Sequence, residues 1–209
     1  LDAPVILRNQ DGEVSISSDD IGPHYYYTLD GSEPTPNSLR FTGPVKTNGK
    51  LVVKAIAFDP TSAKSSLMTQ EKFDICRKDW KILGFSDENT RFILDGNPST
   101  AWHQRDKKLP SDLIVDLGNT YEIAGFKYLP DQARWSAGVI TNYEFYVSPD
   151  NVEWKKVDQG EFSNINNNPV WQIKQFAPEK ARFVKLRALK TTWGDDIAGY
   201  AEVDIITSK

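Results

Sequence analysis

Cysteine and histidine are nearly missing from this chain: Cys76 is the lone thiol, and His24 and His103 are the two imidazoles among 209 residues. One thiol allows no internal disulfide and no cysteine-built zinc cluster. Two imidazoles remove most histidine-rich metal sites. No apolar run approaches the ~18 residues a membrane-spanning helix needs. An excess of positive charge is lacking too, since 25 Lys and Arg face 29 Asp and Glu for a net charge of -4. The chain therefore carries no general basic field for nucleic acid or anionic lipid, and neither is expected as a partner. The machinery of catalysis is equally sparse. No Gly-x-Ser-x-Gly nucleophile elbow occurs, and Cys76 has no histidine near it in sequence. Asp19-Asp20 and Asp195-Asp196 offer adjacent carboxylates, but neighbours on a strand face opposite ways, and those in a loop are usually solvated. The chain itself is not expected to be an enzyme. It opens at Leu1 with neither Met nor a signal peptide and reads as a piece of a longer protein.

What is present is strand upon strand, with almost no helical periodicity. Val14-Ser15-Ile16, Tyr25-Tyr26-Tyr27-Thr28-Leu29 and Leu51 to Phe58 are β-branched and aromatic runs between turn formers. Asp30-Gly31 and Thr42-Gly43-Pro44 supply tight turns. This block predicts a small antiparallel sandwich over residues 1–75. A second block, residues 76–209, carries Tyr143-Glu144-Phe145-Tyr146-Val147 and Phe183 to Ala188, which alternate with period two as strands with one wet face do. Its evenly spaced strands indicate a larger sandwich or jelly roll. No Gly/Ser-rich or Pro-rich stretch separates the blocks near Lys72 to Asp79, which predicts a joint with little slack.

Aromatic residues make up 11% of the chain, enough for a β-core and for exposed platforms besides. His103 directly follows Trp102, so in an extended segment Trp102 turns to the core and His103 to the rim. Trp193, in the polar and Gly-containing run Thr191 to Ile197, reads as exposed. Asp95, Asn97 and Thr100 crowd oxygen atoms into six residues, with Gly96 and Pro98 forcing a tight loop. That chemistry suits hard Ca²⁺. It is no EF-hand, for the loop lacks Gly at its sixth position and Glu at its twelfth. Asp95-Gly96 also reads as a simple hairpin turn. Arg105-Asp106-Lys107-Lys108 is most simply a solvated basic turn, and Asn164 to Asn168 an Asx-rich turn without assigned chemistry.

The first block resembles the C-terminal domain appended to chitobiases, β-hexosaminidases and bacterial fucosidases. The likeness rests on Tyr27-Thr28-Leu29-Asp30-Gly31-Ser32-Glu33-Pro34-Thr35, Ser38, Phe41-Thr42-Gly43-Pro44 and Lys54-Ala55-Ile56-Ala57. The second block resembles a coagulation factor V/VIII type C (discoidin) domain, the fold of carbohydrate-binding module family 32. That likeness rests on Leu94 to Trp102, Val115-Asp116-Leu117-Gly118, Gly125 to Pro130, Tyr143 to Ser148, Trp154 and Ala201-Glu202-Val203. The resemblances imply an all-β chain, a small Ig-like β-sandwich followed by a discoidin-type jelly roll. The tandem order and Tyr128-Leu129-Pro130-Asp131-Gln132 most resemble the C-terminal end of Bacteroidetes-type α-L-fucosidases of glycoside hydrolase family 29.

The resemblance implies a structural calcium ion held by Asp95, Asn97, Thr100 and Glu202, with carbonyls of Phe92, Asn97, Thr100 and Ala201 completing the shell. It implies sugar contacts from His103 and, in the segment after Pro130, from Arg134 and Trp135, though His103 reads equally as a solvated loop residue and Arg134 as an ordinary surface charge. The residues themselves add Trp193 as a second platform, with Arg105 and Tyr200 lesser candidates. Asp131 stands where galactose binders of that family often carry Arg, a departure from the galactose pattern. The expected role is a non-catalytic accessory region that targets a glycoside hydrolase to terminal sugars, extracellular or periplasmic, monomeric, and joined to an N-terminal catalytic domain. The competing expectation is a spacer or protein-docking module without sugar binding. Rim tryptophans as membrane spikes are disfavoured by the acidic balance.

Overall fold

A computed structural model describes residues 1–194 and 196–208. The chain divides into two compact units, Leu1–Lys78 and Asp79–Lys209. Among the described residues no helix is long and apolar enough to cross a membrane.

In the first unit, a three-stranded sheet joins Val5–Arg8, Glu13–Ser17 and Val45–Lys46. A five-stranded sheet is built on His24–Thr28 and Leu51–Asp59, extended by Leu39–Arg40, Lys64–Ser65 and Thr69–Phe73. Alternation does the sorting: Val14 and Ile16 of Glu13–Ser17 turn inward while Ser15 and Ser17 face solvent. They meet Ile6, Tyr27, Val53 and Ala55 in one core cluster. The motif turn after His24–Thr28 closes on itself. Gly31 sits at φ +79°, a conformation that costs glycine little. Asp30 Oδ1 accepts from Ser32 N (3.0 Å) and Ser32 Oγ (2.6 Å), and Thr28 Oγ1 donates to Ser32 O (2.6 Å). Those hydrogen bonds hold the Asp30 carboxyl below its ordinary pKa. A groove runs beside this turn past Tyr27, Leu29 and Leu39. The turn's polar groups bond within the turn, so the motif shapes the fold here.

The second unit rests on two long strands, Ser111–Leu129 and Gln172–Thr191, paired antiparallel along their length. Irregular register between Asp116 and Tyr121 and between Ile123 and Gly125 breaks the ladder. Such breaks bend strands and let them change layer. Before the first break, Ser111–Leu129 pairs with Lys81–Leu83; beyond it, with Glu202–Thr207. Ile140–Ser148 and Lys155–Glu161 continue the sheet past the far half of Gln172–Thr191. Two layers therefore face each other, and Phe126 of one stacks on Phe145 of the other (centroids 4.1 Å apart, 4° between planes). Tyr128, Tyr143 and Phe162 extend this buried aromatic layer. Gly125 sits at the second break because a Cβ there would lie 2.4 Å from the Lys174 carbonyl oxygen.

A two-stranded ribbon, Trp102–Gln104 against Ala198–Tyr200, closes one end. Tyr128 sends its buried hydroxyl there: it donates to Gly199 O (2.8 Å) and accepts from Ile140 N (3.2 Å). One phenol thus ties the ribbon to the start of Ile140–Ser148. Burial raises its pKa strongly, so the tie stays protonated.

Candidate functional site

The ribbon delivers the sequence's central pair as alternation demands. Trp102 is buried, edge-on to Phe85 (4.8 Å) and stacked on Tyr200 (6.3 Å), and its Nε1 donates to Asp87 Oδ2 (2.7 Å). That bond and one from Asn89 N hold the Asp87 carboxyl below its ordinary pKa, the backbone bond contributing most. His103 emerges on the opposite face, its side chain 16% exposed. Its ring lies on Gly199, where a Cβ would fall 2.7 Å from Cδ2 and 2.9 Å from Nε2. Nε2 stands 3.3 Å from Asp131 Oδ2 and 3.3 Å from Ser136 Oγ, and Ser136 Oγ donates to Asp131 Oδ2 (2.7 Å).

Asp131 therefore anchors a loop. Its Oδ1 also caps Ala133 N (2.9 Å), an Asx turn. Gln132 Nε2 donates to Pro130 O (2.7 Å) and to Pro169 O (2.9 Å), tying this loop to the next. Between the two loops lies a cleft of about 390 Å³, lined by Asp131, Arg134, Trp135, Asn166, Asn167 and Trp193 among others. Trp135 is 73% exposed and Trp193 65%. Their indoles meet with centroids 6.2 Å apart and 63° between planes, and the Arg134 guanidinium lies 5.5 Å from the Trp135 centroid. Both tryptophans hold left-handed backbone, φ 63° and 66°, which bulky residues rarely adopt.

The structure thus gathers Arg134, Trp135 and Trp193 at one cleft. His103 and Arg105 line a neighbouring cleft of about 340 Å³ with Asp87, Asn89, Phe92 and Asp106. The His103–Asp131–Ser136 contacts join the two. Tyr200 is a correction: it is 0% exposed, packed between Trp102 and Tyr128, and reaches no ligand. The basic turn is solvated as expected, with all four of its residues exposed. Arg105 and Asp106 line the second cleft, Lys107 Nζ lies 4.5 Å from the Phe85 centroid, and Lys108 pairs with Asp196 at 3.8 Å. Asn166 and Asn167, assigned no chemistry from sequence, line the tryptophan cleft. The Asp195-Asp196 pair lies partly outside the described residues. In the first unit, Asp20 Oδ2 accepts the amide of Asp2 (2.6 Å).

The oxygen-rich loop is tightly turned. Asp95 Oδ1 accepts from Asn97 N (2.8 Å), Asp95 Oδ2 from Thr100 Oγ1 (2.9 Å), and Asn97 O from Thr100 N and Oγ1 (3.1 and 2.9 Å). Carboxylate and carbonyl oxygens each keep a second acceptor site, so these bonds do not exhaust the donor set. Glu202 is 1% exposed. It opens Glu202–Thr207, paired with Leu129, two residues after Tyr200, the partner of Trp102. The 3₁₀ segment Glu88–Ile93, which leads into the loop, lies against Glu202–Thr207. Among the described residues, no three His, Cys, Asp or Glu side chains gather as a metal site. The donors of Asp95, Asn97 and Thr100 are all oxygen, the kind that fits calcium.

Comparison with known proteins matches the F5/8 type C domain to residues 83–203, more than half of the chain. The chain belongs to the F5/8 type C domain family. Residues 8–69 match the chitobiase/β-hexosaminidase C-terminal domain. A sialidase from Micromonospora viridifaciens is 29% identical over 145 residues, 66% of this chain and 22% of that relative's length. Among solved structures, CpGH89CBM32-5 from Clostridium perfringens, in complex with GalNAc-β-1,3-galactose, superposes with a TM-score of 0.54 at 29% identity, over 62% of this chain and 96% of that one. The C-terminal domain of a chitobiase from Bacteroides fragilis gives 0.53 at 26% identity, over 62% and 94%. The F5/8 type C unit here shares that all-β fold.

Proposed function

We propose that this chain is a non-catalytic, carbohydrate-binding accessory region of a secreted glycoside hydrolase, and that the tryptophan cleft is its sugar site. The observation that carries this reading is the pair of exposed indoles, Trp135 and Trp193, set beside Arg134 and the Asp131-anchored loop. Sugars present an apolar C–H face, which an indole covers, and hydroxyls, which guanidinium and amide groups bind. Two solvent-facing tryptophans in left-handed backbone are an uncommon arrangement, and conformational strain of that kind clusters at functional sites. The GalNAc-β-1,3-galactose bound by the Clostridium perfringens module supports the same ligand class.

The parent enzyme is an α-L-fucosidase in this proposal, with the region extracellular or periplasmic, monomeric, and tethered to an N-terminal catalytic domain. Tethering raises the local substrate concentration without touching the chemistry. A shallow open cleft gives affinity near the millimolar range, about 4 kcal/mol. A calcium ion held by Asp95, Asn97, Thr100 and Glu202, with carbonyls of Phe92 and Ala201, would stiffen the rim loop beside the ribbon. Its part is structural, drawing the loop and the start of Glu202–Thr207 together. Affinity electrophoresis in gels containing mucin-type glycans tests the sugar reading. Wild type is expected to be retarded, with Trp135→Ala and Arg134→Ala running freely while keeping the wild-type melting temperature. Retardation unchanged in both variants would remove this cleft, and no retardation of wild type would favour a spacer or protein-docking role.

A further inference from the structure

We propose that the tryptophan cleft selects a pyranose bearing an exocyclic methyl group, either the 6-deoxy carbon or the methyl of an N-acetyl group. This inference rests on the cleft being a sugar site. Its ground is the angle between the two platforms: Trp135 and Trp193 meet at 63° with centroids 6.2 Å apart. The rings touch each other, so they cannot sandwich a sugar. They form a corner. A pyranose that lays its C–H face on one indole turns its rim toward the other.

In an unsubstituted hexose that rim carries hydroxyls, and pressing a hydroxyl on indole carbon desolvates it without a partner. A methyl on the rim reverses the sign, since it is apolar surface removed from water. Around the same cleft, Asp131 and Gln132 are engaged in loop bonds and the Arg134 guanidinium lies 5.5 Å from the Trp135 centroid. Hydroxyls on the remaining sugar edge are left to Arg134 and the Asn166–Asn167 segment, which line the same cleft. The second platform is thus a specificity element, used by ligands with carbon on two adjacent sides.

Calorimetric titration of the full chain, with calcium present, against matched pairs of methyl glycosides tests this. The pairs are L-fucose against L-galactose, GalNAc against galactose, and GlcNAc against glucose. The methyl-bearing member of at least one pair is expected to bind about tenfold more tightly, the range one apolar group adds in an apolar pocket. The fucose pair reports the 6-deoxy source and the other two the N-acetyl source. Trp193→Ala should reduce that preference to near unity, and Trp193→Phe should keep most of it, with thermal melts confirming that both variants fold. Equal affinity within every pair overturns methyl selection while leaving the sugar site standing. A preference that survives in both Trp193→Ala and Trp135→Ala also overturns it. Silence from all six sugars removes the sugar site, and this inference with it.

Discussion

Gly199→Ala probes how the rim is held, because one added carbon meets a specific ring. The new Cβ would lie 2.7 Å from His103 Cδ2, 2.9 Å from Nε2 and 3.2 Å from Ala137 O. Carbon contacts settle at about 3.5–4.0 Å, so the imidazole must withdraw by close to 1 Å. It then leaves Asp131 Oδ2 and Ser136 Oγ, each 3.3 Å away. Overpacking of this kind costs about 1–3 kcal/mol, and a unit of this size loses roughly 4 °C per kcal/mol. The residue's partner also holds the Arg134–Trp135 loop, so sugar affinity should fall with stability. Thermal and urea melts measure the first, and glycan titration the second. The cycle partner is Gly199→Ala/His103→Ala, in which the methyl enters space the ring has vacated and most of the lost stability returns. Wild-type stability in Gly199→Ala, or a loss unchanged by removing the ring, would refute the close stacking of His103 on Gly199.

Tyr200→Phe should melt at or slightly above the wild-type temperature, because the buried hydroxyl has no hydrogen-bond partner among the described residues and an unpaired buried group costs about 1–3 kcal/mol. A loss of more than about 1 kcal/mol in a urea titration would mean the hydroxyl is paired. The Asp116 carboxyl is held below its ordinary value of 3.8, chiefly by hydrogen bonds from Arg182 at 2.8 Å. A depressed carboxyl contributes stability that is fully present above its unfolded pKa and is lost as pH falls through the folded one. Melts below about pH 4 should therefore decline more steeply in wild type than in Asp116→Asn, by no more than about 1 kcal/mol since both groups are partly solvated; parallel profiles would contradict the pairing. Removing calcium with a chelator should lower the melting temperature, by about 2.7 kcal/mol of stability if the ion had been at about a hundred times its Kd. An unchanged melt would sink the metal proposal.

Much of the fold was legible because strands in sandwiches alternate, and Glu13–Ser17 and Ile140–Ser148 do so clearly. The opposite facings of Trp102 and His103 followed from the same period. Tyr200 misled for a physical reason: Ala198–Tyr200 is buried at all three positions, so that strand has no wet face and period two says nothing there. The joining contacts were not legible at all. His103 to Asp131 and Gln132 to Pro169 span distant segments, and register sets them, which local pattern does not encode. Asn166 and Asn167 gave a signal, an asparagine cluster in a turn, but only the tie through Gln132 brings that turn beside the indoles.

Indole N–H resonances, followed by NMR during titration with GalNAc and with L-fucose, test the central claim most directly. The chain's six tryptophans differ in setting, with Trp80 and Trp102 buried and Trp135 and Trp193 open. Saturable shifts confined to Trp135 and Trp193 are the predicted result. No shift with either sugar, or shifts at Trp154 and Trp171 with the rim pair still, would contradict the account.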